Sequence, residues 1–163
     1  MGRSDVRIRM RARNIGQDCE FPMKQQIQFC TSSGGTRIAF ATAGKGPPLV
    51  RVNNWFTHLE FDWDSAVWRH WFDALAEGHT LVRYDSRGSG LSDRNVTDFS
   101  LDALVADLEA VADALELRRF PILGLCQGGA IAVAYAARHP ERVSRLVLYD
   151  SYVQGAYVHP EGD

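Results

Sequence analysis

The sequence has few cysteines and no long apolar run. Its three cysteines are Cys19, Cys30 and Cys126, and no two of them form a CxxC pair. An odd count without paired spacing argues against a disulfide-stapled miniprotein and is typical of a reducing compartment, so we expect a cytoplasmic protein. The sequence also lacks a stretch of about 18 consecutive apolar residues, so it predicts no membrane-spanning helix and no membrane partner.

A strong excess of one charge is missing too. The chain carries 18 Lys and Arg against 20 Asp and Glu, a net charge of −2, which argues against nucleic acid as a partner. None of its five histidines stands in an HExxH pattern, and the cysteines lack metal-ligand spacing, so we expect no metal and no cofactor. With 45% hydrophobic and 23% charged residues, the composition is that of one soluble globular domain.

The charged residues are unevenly distributed along the chain, because five arginines lie close to the N-terminus. Residues 1–23 are predicted to be a basic, disordered leader, and residues 24–163 to be the folded domain. No apolar segment follows the arginines, so a secretory signal is not expected. A mitochondrial-type or nucleic-acid-binding arm is the alternative interpretation. The arginines concerned are Arg3, Arg7, Arg9, Arg11 and Arg13.

From about residue 25, short apolar strands alternate with amphipathic helices. Alternation of this kind predicts an α/β fold, a mostly parallel sheet with helices on both faces, and the first two strands add an antiparallel edge. Ser100 is a suitable N-cap for the clearest helix, and Pro140 ends the last one. The predicted strands are 26–30, 37–42, 49–53, 80–84, 120–125 and 143–149, and the predicted helices are 68–75, 100–115 and 127–139.

One motif carries chemistry, the segment GLCQGG at residues 124–129, between an apolar strand and a helix. This is the setting of a nucleophile elbow, where Gly124 and Gly128 let strand and helix approach while the side chain between them projects above the sheet. Cys126 is therefore the candidate nucleophile. The Gln127 backbone N–H is the candidate oxyanion donor, and the helix N-terminus favours a thiolate. The alternative interpretation of Cys126 is a buried structural thiol in a tight turn.

Two further segments, YDSRGSGLS at 84–92 and AARHPERV at 136–143, accompany the elbow. Together the three resemble the N-terminal half of the α/β-hydrolase fold, with about six of its eight strands. The resemblance implies that the loop after the fourth strand braces the site, through Asp85, Arg87, Gly88, Gly90 and Ser92.

The residues after the third strand differ from the family's usual pattern. Asn53-Asn54 stands where many members have His-Gly, and the resemblance then implies that Trp55 supplies the second oxyanion-hole amide. The side chains of Trp55 and of the aromatic residues beyond it, Phe56, Phe61 and Trp63, are interpreted either as the lining of an apolar acyl pocket or as packing for a cap.

Several phrases resemble one subgroup more closely, namely hydrolase domains fused to bacterial transcription-regulator or adenylate-cyclase modules. These phrases are FCT at 29–31, NWFTHLE at 54–60 and WRHW at 68–71. In this interpretation the basic leader is a remnant of such a module or the linker to it.

The resemblance also implies a catalytic triad in the order nucleophile, acid, histidine. Most members use Ser where this chain has Cys126, although dienelactone hydrolases resemble it in using Cys. The acid and the histidine usually follow the seventh and eighth strands, whereas this chain ends just past the sixth, so we expect both to be missing. Asp150 as acid and His159 as base are the remaining candidates in the right order. We expect weak hydrolysis of small carboxylic or thiol esters.

The last strand, Arg145–Tyr149, is an inner strand in the family but has no further strand after it here. An uncovered apolar edge invites pairing with another chain, so we expect a homodimer or aggregation through this edge, or a chain that is a fragment of a larger gene product. Two other functions stay open from the sequence: a catalytically silent sensor or interaction domain of a regulatory protein, and a truncated product without an independent role.

Overall fold

Six strands form one mixed, mostly parallel sheet in the part of the chain that the computed structural model describes, residues 23–54 and 56–152. The spatial order is β1-β2-β4-β3-β5-β6, with β1 and β2 antiparallel to their neighbours and the other pairs parallel. The predicted α/β fold, with its antiparallel hairpin at one edge, is confirmed. The strands are β1 (Gln26–Thr31), β2 (Arg37–Gly44), β3 (Pro48–Val52), β4 (Thr80–Tyr84), β5 (Phe120–Leu125) and β6 (Val143–Tyr149).

Among the described residues, four α-helices cover the sheet: α1 (Leu59–Asp64), α2 (Arg69–Ala76), α3 (Leu101–Ala114) and α4 (Gly128–Arg138). As expected from the sequence, Ser100 caps α3, because its hydroxyl accepts a hydrogen bond from the Ala103 N–H at 3.2 Å. The six-residue helix α1 was not predicted. Its first N–H, on Leu59, donates to the Asp85 carboxylate at 3.1 Å, a contact between distant segments that no local pattern reveals.

The strands alternate their side chains between two helical layers. Along β4, Val82 and Tyr84 face the core shared with α3 and α4, whereas Leu81 faces the core shared with α1 and α2. Trp63 belongs to this second core, where it stacks on Phe72 with 6.0 Å between ring centroids. Trp63 is therefore buried within its own domain, which leaves it little surface for an acyl pocket.

Strands β3, β4, β5 and β6 run in the same direction, so their carboxyl ends meet along one edge of the sheet. Ligands of open α/β sheets bind at this edge, which places the loops after Val52, Tyr84 and Leu125 together. No described helix combines the length and the apolar character that crossing a membrane requires. Of the predicted leader only Met23 lies within the described residues, and its carbonyl accepts a hydrogen bond from Arg69 at 3.0 Å.

Candidate active site

Cys126 occupies a strained turn between β5 and α4. Its φ angle is 48°, in the left-handed region that a residue with a Cβ rarely adopts. Two hydrogen bonds hold the turn: the Cys126 N–H donates to the Tyr149 carbonyl at 3.2 Å, and its own carbonyl accepts from the Gly129 N–H at 3.0 Å. The thiol is half-buried and unpaired. Strain of this kind, kept by surrounding hydrogen bonds, is the backbone geometry of a nucleophile elbow.

Gly124 and Gly128 let the helix approach the sheet closely. A Cβ on Gly124 would lie 2.9 Å from the Gly129 Cα, and one on Gly128 would overlap the Asn53 carbonyl and lie 2.8 Å from the Val52 oxygen. The atoms that these Cβ atoms would meet belong to the backbone, which cannot rotate away as a flexible side chain can. The close approach brings the first turn of α4 against the end of β3.

One candidate oxyanion donor, the Gln127 N–H, lies beside this contact. Gln127 is the N-cap of α4 and is exposed, and the first N–H groups of a helix have no partner within it. Trp55, the second predicted donor, lies outside the described residues. Asn53, two residues before Trp55 in the chain, is buried. The Asn53 side-chain amide donates to the Thr57 hydroxyl at 3.2 Å and to the Tyr84 carbonyl. Asn53 thereby ties the loop after β3 to the end of β4.

The candidate acid lies near the elbow, but no described base joins it. Asp150 follows β6 directly, with a φ of 49°, and Leu125 and Tyr149 are register partners, so Asp150 stands beside the turn at Cys126. It is exposed and contacts none of the described histidines through a hydrogen bond or an ion pair. His159, the predicted base, lies outside the described residues. His139 ends α4, about 16 Å along the helix from the elbow, and faces Glu109 at 3.4 Å.

Asp85 organises the loop after β4. It is fully buried, and its Oδ2 accepts hydrogen bonds from the Leu59 N–H at 3.1 Å and the Leu91 N–H at 2.9 Å. Gly90, at a φ of 52°, passes so close to this carboxylate that a Cβ would overlap it. Ser92 donates to the Asp85 carbonyl at 2.6 Å and accepts from the Ala39 N–H at 2.9 Å. These contacts brace a turn and leave the Asp85 carboxylate no exposure for catalysis.

Arg87 is held by a buried carboxylate that sequence reasoning missed. Its Nε and Nη2 donate to the two oxygens of Asp107 at 2.9 and 2.7 Å, and its Nη1 donates to the Asp98 carbonyl at 3.1 Å. The hydrogen bonds to Asp107 raise the pKa of Arg87 further above its usual range. Asp107 stands in an apolar stretch of α3, and an acid at such a position is a sequence signal for a buried cation. Next to the pair, a Cβ on Gly88 would press on the Phe99 ring.

A cavity of about 250 Å³ opens beside the elbow. Its floor combines the loop after β3, the loop after β4 and the start of α4. Phe56, named from the sequence as a pocket aromatic, is among its lining residues, whereas Phe61 is not and is 74% exposed. Among the described residues, no group of three or more His, Cys, Asp or Glu is placed to hold a metal ion. The cavity is lined by Asn53, Asn54, Phe56, Ser86, Arg87, Gly88, Ser89, Phe99, Leu104, Gln127 and Ile131.

A parallel sheet with a strained residue at a strand-to-helix turn, glycines on both sides of it and a cavity alongside defines the class of α/β hydrolases. A family model described as "alpha/beta hydrolase fold" matches residues 55–161 of this chain. The chain belongs to the α/β-hydrolase fold family.

Relatives with assigned activities share the same part of the fold. The chain is 34% identical over 148 residues to a cis-3-alkyl-4-alkyloxetan-2-one decarboxylase of Shewanella oneidensis, covering 88% of this chain and 43% of that protein. It is 35% identical over 114 residues to a pimeloyl-[acyl-carrier protein] methyl ester esterase of Nitrosomonas europaea, covering 70% of this chain and 41% of that protein. The chain thus spans less than half the length of these curated relatives.

A solved structure is also similar to this chain over part of its length. A hydrolase from Pseudomonas aeruginosa superimposes with a TM-score of 0.69 at 32% identity, over 83% of this chain and 50% of the other. The six strands described above therefore correspond to part of a known hydrolase fold.

Proposed function

We propose that this chain carries the nucleophile and oxyanion hole of an esterase-type α/β hydrolase, and that Cys126 attacks the carbonyl carbon of small carboxylic or thiol esters. The observation that carries the proposal is the φ of 48° at Cys126, kept by hydrogen bonds at both ends of the turn. A thiol that served only for packing would not need this strained position.

The chemistry follows from the position of the thiol. The Cys126 sulfur, as thiolate, adds to the ester carbonyl, and the negative charge that forms on the carbonyl oxygen is stabilised by the Gln127 N–H and, as predicted, the Trp55 N–H. The bond to the leaving group then breaks, and the leaving alkoxide or thiolate takes a proton from water. Water finally hydrolyses the acyl-thioester, which releases the acid and the thiol.

The last step is expected to be slow. None of the described histidines contacts Cys126 or Asp150, and we retain Asp150 as acid and His159 as base only as part of the proposal. Site binding and the oxyanion hole alone give about 10³–10⁴-fold acceleration over water. A thiolate needs no base to attack, whereas the water of the second step does. The acyl-enzyme should therefore accumulate.

The cavity beside the elbow supports small acyl groups as substrates. Its volume of about 250 Å³ is below the roughly 300–1,000 Å³ of pockets for drug-sized ligands. Phe99, Leu104 and Ile131 give it an apolar side, and backbone and amide groups near Asn53 give it a polar one. A cavity with an apolar side and a polar side fits a substrate in which a short alkyl chain is attached to a carbonyl group.

Acyl trapping tests the proposal directly. After incubation with p-nitrophenyl acetate at neutral pH, we expect one acetyl group on Cys126, found by intact mass and peptide mapping, and no stable acetylation in Cys126→Ala. The matched control is Cys30→Ser, because Cys30 is also a half-buried free thiol but lies on β1, away from the elbow. That variant should acetylate like the wild type. Equal acetylation of wild type and Cys126→Ala would rule Cys126 out as the nucleophile.

The exposed edge of β6 supports a homodimer as part of this proposal. β6 ends the described sheet, and Leu146, Val147, Leu148 and Tyr149 along it are 37%, 52%, 46% and 58% exposed. Apolar edge strands pair readily with a second chain, and a charge on the edge discourages this pairing.

Size-exclusion chromatography with light scattering tests the dimer. The wild type should elute at twice the chain mass, and Val147→Lys should elute as a monomer, because the lysine places a charge in the edge. Val67→Lys is the control, since Val67 is a similarly exposed valine in the connection between α1 and α2. A monomeric wild type, or dissociation by both variants alike, would contradict pairing through β6.

Two attributes of the protein stay proposals as well. A cytoplasmic location suits a nucleophilic thiol that must remain reduced. Fusion to a bacterial regulatory module rests on the resemblance of residues 29–31, 54–60 and 68–71 to such hydrolase domains.

A further inference from the structure

Ser151, the second residue after β6, lies directly against the elbow. Its hydroxyl oxygen is 3.1 Å from the Gly124 carbonyl oxygen on β5 and 3.1 Å from the Tyr149 carbonyl oxygen on β6. A hydroxyl has a single proton to donate, so the two carbonyls share it. One side chain therefore bridges the carboxyl ends of β5 and β6, next to the turn at Cys126.

The Tyr149 carbonyl connects Ser151 to the strained residue itself. This oxygen also accepts the Cys126 N–H at 3.2 Å, one of the two hydrogen bonds that hold the φ of 48° at Cys126. A carbonyl oxygen has two lone pairs and can accept from both donors. Asp150, between Tyr149 and Ser151, has a φ of 49°, so the chain turns directly after β6. Ser151 thus supports the same carbonyl on which the strained turn depends.

The first turn of α4 packs against Ser151 as well. A Cβ on Gly129 would overlap the Ser151 Cβ and Oγ, so the serine side chain fills the space that a larger residue at position 129 would need. Gly129 is also the residue whose N–H donates to the Cys126 carbonyl at 3.0 Å. Ser151 therefore contacts a residue of each of the two hydrogen bonds that keep Cys126 in its left-handed conformation.

The position of the Gln127 N–H depends on these contacts. Gln127 lies between Cys126 and the first turn of α4, so a shift of that turn moves its N–H relative to the thiol. On the other side of the helix start, Gly128 meets the Asn53 carbonyl at the end of β3, so this turn is held between β3 and Ser151. A strained backbone persists only when its surroundings over-determine it, and catalytic groups must be held to within about 0.5 Å.

We propose that Ser151 is a positioning residue for the nucleophile elbow: its hydroxyl and its packing against Gly129 keep the Cys126 thiol and the Gln127 N–H aligned for attack on an ester carbonyl. This inference rests on the proposed function, because it takes Cys126 as the nucleophile and Gln127 as an oxyanion donor. Ser151 acts through the backbone of its neighbours, so it contributes geometry and no proton transfer.

The ratio of two reactions at Cys126 tests the proposal in the full chain. Acetylation by p-nitrophenyl acetate needs the thiol and the Gln127 N–H aligned, whereas alkylation by iodoacetamide needs an accessible thiol and forms no oxyanion. In Ser151→Ala the maximal rate of acetylation should fall about tenfold, less than the 10²-fold expected for a shift of about 1 Å. Its alkylation rate should change by less than about twofold, because the thiol stays accessible. Peptide mapping assigns both modifications to Cys126.

A matched control separates this effect from loss of a serine in general. Ser144 is exposed and lies at the other end of β6, so Ser144→Ala should leave both rates unchanged. A purely structural role of Ser151 would lower the melting temperature and leave the ratio of the two rates at its wild-type value. That unchanged ratio in Ser151→Ala would overturn the proposal, as would an equal fall in Ser144→Ala.

A double-variant cycle tests the contact with Gly129 without measuring acyl transfer. Gly129→Ala should lower the Tm by a few degrees in the wild-type background, because the new Cβ overlaps the Ser151 side chain. With Ser151→Gly already in place, both overlapped atoms are gone and the Cα of residue 151 is 3.5 Å away, an ordinary contact distance. The loss caused by Gly129→Ala should then be smaller. Equal losses in the two backgrounds would contradict the packing.

The two sets of results also separate this inference from the proposed function. A wild type in which p-nitrophenyl acetate leaves Cys126 unmodified would overturn the proposed function and, with it, the role of Ser151 in acyl transfer. An acetylated wild type whose acetylation-to-alkylation ratio matches that of Ser151→Ala would overturn the inference about Ser151 alone.

Discussion

Replacing Asp107 with alanine is expected to destabilise the fold by about 3–5 kcal/mol, because it leaves the Arg87 guanidinium buried without its carboxylate. Asp107 is fully buried and Arg87 is 5% exposed, so neither charge is relieved by water. Urea unfolding followed by tryptophan fluorescence measures the change, since Trp63 is packed within the folded core. The loss should be similar from about pH 6 to about pH 10, where an aspartate in the unfolded chain is ionised and Asp107, by raising the pKa of Arg87, keeps the guanidinium charged.

A matched carboxylate on the same helix separates the buried pair from an ordinary surface pair. Asp102 also binds an arginine, Arg138, but its side chain is 81% exposed. Asp102→Ala should cost at most about 1 kcal/mol. The double variant Arg87→Met, Asp107→Leu should recover most of the stability lost in Asp107→Ala, because removing both charges removes the unpaired one. Equal losses for Asp102→Ala and Asp107→Ala would contradict this account.

Replacing Gly128 with alanine is expected to lower the rate of Cys126 acylation about 10²-fold, the order expected when reacting groups shift by about 1 Å. Its Cβ would overlap the Asn53 carbonyl and approach the Val52 oxygen at 2.8 Å, so the start of α4 must move away from β3. Alanine is intrinsically better than glycine in a helix by about 1 kcal/mol, whereas overpacking costs about 1–3 kcal/mol. We therefore expect a net loss of stability as well. Acetyl transfer from p-nitrophenyl acetate and urea unfolding measure the two effects.

The control for this prediction is the reverse change two residues later. Ala130 is half-buried on the same turn of α4, and Ala130→Gly should cost about 1 kcal/mol of helix propensity without moving the elbow. Its acylation rate should match the wild type. A Gly128→Ala protein that is more stable than the wild type and equally fast would show that the close contact with β3 is not needed.

Much of the fold can be predicted locally because its elements have strong periodic patterns. The strand 120–125, the helix start after Ser100 and the strand 143–149 were predicted at their observed bounds. Helix α1 was missed because six residues give too short a pattern, and because its first N–H, on Leu59, is held by Asp85, 26 positions away in the chain. The sheet order was not predicted either, since it depends on which strands pair across the loops.

In the candidate site, too, some features follow from the sequence and others only from the tertiary structure. The spacing around Cys126 is a property of the chain itself, so the sequence determined the elbow, its two small neighbours Gly124 and Gly128, and the α/β alternation that places them at one edge of a sheet. Only the tertiary structure decided the partners of the buried charges, because Asp107 meets Arg87 from 20 positions away and Asp85 accepts a hydrogen bond from the Leu59 N–H, 26 positions before it. Burial turns an arginine such as Arg87 from an ordinary surface charge into one that needs a counter-ion, and the spacing of residues around it does not say where that counter-ion lies.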